Sequence, residues 1–149
     1  VERLSSDGIQ VNVTALMTTD QVKRVAGHLS TQTNSIVSVF AGRIADTGRD
    51  PVPLMAEAVD ILKSRPKAEL IWASPRELLN VFQADSVGCH IITATSDVLA
   101  KLRLVGKDLD EYSLETVQMF RNDALRADYT IQISDGNIGA ETAWQGVSN

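Results

Sequence analysis

Cysteine is almost absent from this sequence. Cys89 is its one copy, so neither an intrachain disulfide nor a zinc site built on cysteines can hold the fold together. A single thiol fits a reducing compartment and is expected to serve as a small buried hydrophobe. A surplus of positive charge is also lacking: 14 basic residues stand against 19 acidic ones, and the net charge is −5. The bases are scattered, which argues against nucleic acid and against an anionic membrane as partners; any anion must be held locally. No apolar run approaches the roughly 18 residues that would span a bilayer, and no charged-then-apolar leader opens the chain. A cytoplasmic location is therefore expected. Low-complexity segments are missing too, and the first residue is Val1 rather than methionine. With Val1 to Ser6 reading as the tail of a helix, the chain is expected to be a piece of something longer.

What remains is the composition of a soluble globular domain, 44% hydrophobic and 22% charged over 149 residues, a length suited to one compact core. Four apolar, β-branched runs read as strands: Ile9 to Met17, Ile36 to Phe40, Ala68 to Ala73 and Cys89 to Thr93. Helical periodicity fills the gaps. It is clearest from Val52 to Ser64, where Leu54, Met55, Ala58, Ile61 and Leu62 share a face behind Pro51 and Pro53. Further helices are expected from Thr19 to about Leu29 with Thr19 as cap, from just after Pro75 to about Asp85, from Ser96 to near Leu104, and from Ser113, as cap, to about Ala127. Strands alternating with helices predict an α/β fold with a parallel sheet. Two architectures satisfy this, an open doubly wound sheet or four βα units of a (β/α)8 barrel, and periodicity alone leaves both open.

Buried parallel strands should be continuous apolar runs, so their polar exceptions carry information. Asn12 and Thr14 interrupt the alternation of Val11, Val13 and Ala15. Ser38 lies on the second strand with Arg43 five residues on, and Ser74 and Arg76 directly follow the third. All sit at or near strand ends that lead into helices, the edge at which both architectures bind ligands. Guanidinium forks donate paired hydrogen bonds to phosphate oxygens and stay charged at every working pH. Arg43, Ser74 and Arg76 are therefore phosphate-site candidates, helped by backbone donors at the helix start after Ser74. The plainer alternative is that the two arginines pair on the surface with Asp46, Asp50 or Glu77, and that Asn12 and Thr14 satisfy neighbouring backbone groups. His28 and His90 have no second ligand near them in sequence and predict no metal site. Gly136, Asn137 and Gly139 do not form a dinucleotide fingerprint. Trp72 is expected to pack on its strand, and Trp144 to sit in a tail.

Together the segments GIQVNVT (Gly8 to Thr14), SVFAGRIADTG (Ser38 to Gly48), WASPRE (Trp72 to Glu77) and CHIITAT (Cys89 to Thr95) resemble the transaldolase family, including its smaller fructose-6-phosphate aldolase-like members. The resemblance runs from about Asp7 to Arg126, with VQMFRNDA similar to the family's closing helix. The pattern Phe40, Gly42, Arg43, Asp46 is its most specific part. It implies the second half of a (β/α)8 barrel, strands five to eight, over residues 1–128, closed by a helix near 113–127 and followed by a tail over 129–149.

The resemblance further implies Schiff-base transfer of a dihydroxyacetone unit between phosphorylated sugars, with no metal or organic cofactor. Asn12 would hydrogen-bond the sugar, Thr14 would position the catalytic water, Ser38 would lie beside the dihydroxyacetone unit, and Arg43, Ser74 and Arg76 would hold the phosphate. The family's Schiff-base lysine lies on the preceding strand. None of Lys23, Lys63, Lys67, Lys101 and Lys107 matches its motif, and this chain alone is expected to be inactive. Pro75 also replaces the usual phenylalanine before Arg76. Other readings are a non-catalytic sugar-phosphate-binding module, or an assembly protein whose open half-barrel edges pair with a second copy as a homo-oligomer.

Overall fold

The computed structural model describes residues 1–129. The tail features at Gly136, Asn137, Gly139 and Trp144 lie outside the described residues. Two compact units are present, Val1–Val105 and a second beginning at Gly106.

The first unit alternates helix and strand: α1 (Glu2–Ser6), β1 (Val11–Leu16), α2 (Thr19–His28), β2 (Ser35–Val39), α3 (Ala41–Ala45), α4 (Val52–Leu62), β3 (Ala68–Trp72), α5 (Leu79–Ser86), β4 (Ile91–Ile92) and α6 (Ser96–Ala100), with a 3-10 turn at Lys101–Leu104. All strand pairs are parallel and the spatial order is β1-β2-β3-β4. That order separates the two architectures. A doubly wound sheet reverses direction at a switch point, whereas here each crossover steps the same way, as along a barrel wall. Right-handed crossovers that all step one way place their helices on one face.

Packing follows from this. Val37, Val39, Leu70 and Trp72 are fully buried under Val22 and Ala26 of α2, Met55, Ala58 and Leu62 of α4, and Ala84 of α5. The register pairs Asn12 with Ile36, Ile36 with Glu69, and Ser38 with Ile71, so these residues share the opposite face. On it Asn12, Thr14 and Glu69 are exposed, and Ile36 and Ile71 are half-buried.

Several sequence expectations shift at their edges. Strand β1 carries an irregularity between Val13 and Leu16, where Ala15 turns to φ 65°. The inserted residue makes Ala15 exposed and returns Leu16 to the core, so Ala15 does not share the side of Val11 and Val13. Helix α2 is capped by Thr18 rather than Thr19. Its hydroxyl accepts from Gln21 N, while Gln21 Oε1 accepts from Thr18 N at 3.1 Å and Met17 N at 2.8 Å. The extended backbone of Thr18 is what frees its side chain for that reach. Thr18→Ala is expected to cost about 1 kcal/mol of stability, read as a lower denaturant midpoint with an unchanged slope. The last strand shrinks to two residues, and the third crossover helix starts at Leu79 rather than just after Pro75.

In the second unit α7 runs Leu109–Arg126 and is capped not by Ser113 but by Asp108, whose Oδ1 accepts from Glu111 N over 2.9 Å. Asp108 is extended and can fold its carboxylate back, whereas Ser113 is already inside the helix. Lys107 pairs with Glu115 and lies 4.9 Å from the Tyr112 ring centroid. No helix among the described residues is long and apolar enough to cross a membrane.

Candidate functional site

Beyond their last paired residues the strands remain tied together. Phe40 N donates to Leu16 O over 2.8 Å, Ala73 N to Val39 O over 2.8 Å, and Thr93 N to Trp72 O over 3.1 Å. These bonds extend the parallel ladder into a rim from which the βα turns rise. The turns after β2 and β3 interlock at Gly42. Its N–H donates to Ala73 O over 3.3 Å, and a Cβ there would stand 1.5 Å from Ser74 O and 3.3 Å from Arg76 Nε. Only a glycine allows that approach. Ser74 itself takes a left-handed φ of 59° immediately before Pro75, a conformation that costs a non-glycine residue about 1 kcal/mol or more. The proline-containing turn thereby presses the Ser74 carbonyl against Gly42.

Two pairs of sequence-predicted residues meet. Ser38, buried on the open face, donates from Oγ to Asn12 Oδ1 over 2.7 Å. An amide has one acceptor oxygen and two N–H donors. With the oxygen engaged by Ser38, the N–H groups of the exposed Asn12 amide remain as donors. Arg76 Nε donates to Asp46 Oδ1 over 3.0 Å, and Nη2 reaches Asp46 Oδ2. The surface pairing of Arg76 with Asp46 is therefore real. Arg43, from α3, lies 5.8 Å from the Phe40 ring centroid rather than on Asp46 or Asp50; Asp50 Oδ1 instead accepts from Val52 N at the start of α4. Thr14 stands exposed on the face of Asn12. Ser74 joins the rim through its backbone.

One expectation fails in part. The N–H groups after Ser74 are not the free donors of a helix start, because Asn80 Oδ1 accepts from Arg76 N over 2.7 Å and from Glu77 N over 3.2 Å. The buried Asn80 side chain consumes them and delays α5 to Leu79. Sequence reasoning missed Asn80. Its signal is an asparagine four residues after Arg76, where a short amide can bond backwards to the main chain. Asp46 was legible as a member of the family pattern around Gly42 and as a possible partner for arginine.

Other chemically able groups are occupied. Burial pushes the Cys89 thiol up from its usual range, and its sulfur lies 3.3 Å from Leu70 O, so it is no activated nucleophile. His90 Nδ1 accepts from Leu70 N over 3.1 Å, and His28 Nδ1 lies 2.6 Å from Arg24 O. None of the five lysines lies on a strand: Lys23 is on α2, Lys63 caps α4, Lys67 precedes β3, Lys101 is in the 3-10 turn and Lys107 precedes α7. The hydrogen bond and charge of Glu57 raise the Lys23 ammonium above its ordinary range, the reverse of what an attacking amine needs.

A singly wound parallel sheet with its helices on one face, and with Arg43 and Arg76 just beyond the ends of β2 and β3, defines an α/β-barrel segment. A family profile described as Transaldolase/Fructose-6-phosphate aldolase matches residues 1–148. The chain belongs to that family. Among curated relatives, a probable transaldolase of Nitrosopumilus maritimus is 36% identical over 101 residues, 66% of this chain and 44% of that protein. One from Herpetosiphon aurantiacus is 33% identical over 117 residues, 78% of this chain and 50% of the relative. A third, from Caldicellulosiruptor saccharolyticus, is 35% identical over 104 residues, 68% and 46% of the two chains. The chain spans about half the length of the curated relatives it matches.

Proposed function

We propose that this chain supplies the phosphate-binding half of a transaldolase-type or aldolase-type barrel, which transfers a dihydroxyacetone unit between phosphorylated sugars through a Schiff base on a lysine outside this chain. The observation that carries the reading is the fused rim, where Gly42 brings the turn bearing Arg43 against the turn bearing Ser74 and Arg76. Two guanidinium groups on adjacent turns are suited to the several oxygens of a phosphate monoester. Asn12, its oxygen held by Ser38, donates its amide N–H groups to a sugar hydroxyl or carbonyl oxygen. Ser38 thus acts chiefly through Asn12, and Thr14 offers a hydroxyl to a water on the same face. A Schiff base needs an uncharged amine close to the carbonyl; Lys23 is paired and charged, and the other four lysines are off the strands.

The test is binding of fructose 6-phosphate to this chain, followed by borohydride treatment. Wild type is expected to bind, Arg43→Ala and Arg76→Ala each to weaken binding by about tenfold or more, and reduction to leave no covalent adduct. Absence of binding would sink the phosphate reading. A stable adduct would show that a lysine of this chain reacts. The off-strand lysines also favour a second reading, a sugar-phosphate-binding module without chemistry. It is supported if a longer protein containing this chain binds fructose 6-phosphate and neither cleaves nor transfers it.

A further inference from the structure

The proposed phosphate site holds a carboxylate, which by simple charge should repel its ligand. Resting on that phosphate reading, we infer that Asp46 is a positioning residue that aims the Arg76 guanidinium at the phosphate.

The argument starts from the donor count. A guanidinium has five N–H groups in one plane. Asp46 engages it side-on, through Nε to Oδ1 at 3.0 Å and through Nη2 to Oδ2. That grip takes two N–H groups and leaves both on Nη1 and one on Nη2, the end-on fork that matches two oxygens of a phosphate. The side chains of Arg76 and Asp46 are 49% and 51% exposed. An ion pair so open to water adds little to stability, so its consequence is orientation.

Arg76 is held at its other end as well. Asn80 Oδ1 accepts its backbone N–H, and the missing side chain of Gly42 leaves room for Nε, which lies 3.3 Å from where a Cβ would be. Asp46 is itself anchored, since its N–H donates to Gly42 O over 3.0 Å at the end of α3. A long flexible arginine thereby has its root fixed by the β3 turn and its head fixed by the β2 turn. Its fork is already ordered when the anion arrives, which removes part of the ordering cost of binding.

The rival arrangement is competition, in which Asp46 occupies the place of the phosphate and must leave. The two differ in sign, because removing the charge of a competitor strengthens anion binding and removing a positioner weakens it. Inorganic phosphate is titrated into the full 149-residue chain while the Nε–H resonances of its arginines are followed by NMR. In wild type the Arg76 Nε–H signal should persist through saturation, since Asp46 keeps that hydrogen. Asp46→Asn should weaken phosphate binding by about 3- to 10-fold although a negative charge is gone, and Asp46→Glu should recover part of the loss. In an Arg76→Lys background, where an ammonium offers no side-on fork, Asp46→Asn should change phosphate binding less than about twofold.

Unchanged or tighter binding by Asp46→Asn overturns the positioning role and leaves the phosphate reading standing. Loss of the Arg76 Nε–H signal on phosphate addition to wild type does the same, and this needs no variant. An equal loss from Asp46→Asn in the Arg76→Lys background would mark a general effect on the fold and also overturn it. Failure of the wild-type chain to bind phosphate overturns both.

Discussion

Gly42→Ala is expected to be the most damaging single methyl group that can be added to this chain. The new Cβ would lie 1.5 Å from Ser74 O and 2.6 Å from Ser74 C, and both are backbone atoms, so no side-chain rotation can relieve the clash. Relief requires the β2 and β3 turns to separate, breaking the Gly42 N to Ala73 O bond and dragging Ser74 out of its left-handed conformation. The expected cost is about 4 kcal/mol or more, in the range reserved for overpacking joined to backbone strain. That is a large part of the stability of an ordinary domain. Denaturant titration should show a collapsed midpoint, and if the proposed phosphate site exists, any folded fraction should bind phosphate more weakly because Arg76 moves with the turn. Gly27→Ala is the control. Gly27 lies in the last turn of α2 with nothing within 4 Å of an added Cβ, so alanine there should stabilise by about 0.5–1 kcal/mol. A Gly42→Ala chain as stable as wild type would show that the two turns do not interlock.

The second large effect is expected at Trp72. It is the largest fully buried side chain among the described residues, on β3 beneath the helices. Trp72→Ala should cost about 3–5 kcal/mol through the cavity it leaves. Trp72→Phe should cost far less than its loss of volume suggests, because the indole Nε1–H is buried among the described residues without a hydrogen-bond partner. Deleting a donor that was never satisfied removes a desolvation penalty of about 1–3 kcal/mol and offsets much of the lost packing. Unfolding curves of the two variants measure the difference. Equal destabilisation by Phe and Ala would mean that the indole nitrogen contributes something the packing does not reveal.

Much of the scaffold was legible because local chemistry repeats along it. The runs Ile36 to Phe40 and Ala68 to Ala73 each lie within a residue of β2 and β3, since β-branched stretches between turn residues have few other uses. Helix Val52–Leu62 began where Pro51 and its apolar stripe required. Caps were less legible. Thr18 and Thr19 offer the same hydroxyl, and the choice depended on which backbone stayed extended and on Gln21 reaching back. Ser113 lost to Asp108 for the same kind of reason. The inserted turn at Ala15 left no trace in the alternation, because alanine suits either face.

The candidate site divides in the same way. Asn12, Ser38, Arg43, Ser74 and Arg76 stood out as polar interruptions at strand ends, and the family pattern around Gly42 pointed to the same rim. The pairings did not stand out: Asp46 and Ser38 lie inside the family motifs, yet nothing there says that they hold Arg76 and Asn12, and Asn80 lies outside the motifs.

Residue types and spacing were enough to establish an alternating α/β chain of this family with a cation-bearing rim, because periodicity and strand-end polarity are properties of neighbours in sequence. They could not establish that the strands run β1-β2-β3-β4 with the helices on one face, that Ser38 holds the oxygen of Asn12, or that Asp46 grips Arg76 side-on. Each of those depends on residues 26 or 30 positions apart in the chain, or on strands from different turns of the winding. The free energy of such contacts lies in three-dimensional register, which no stretch of neighbours encodes by itself.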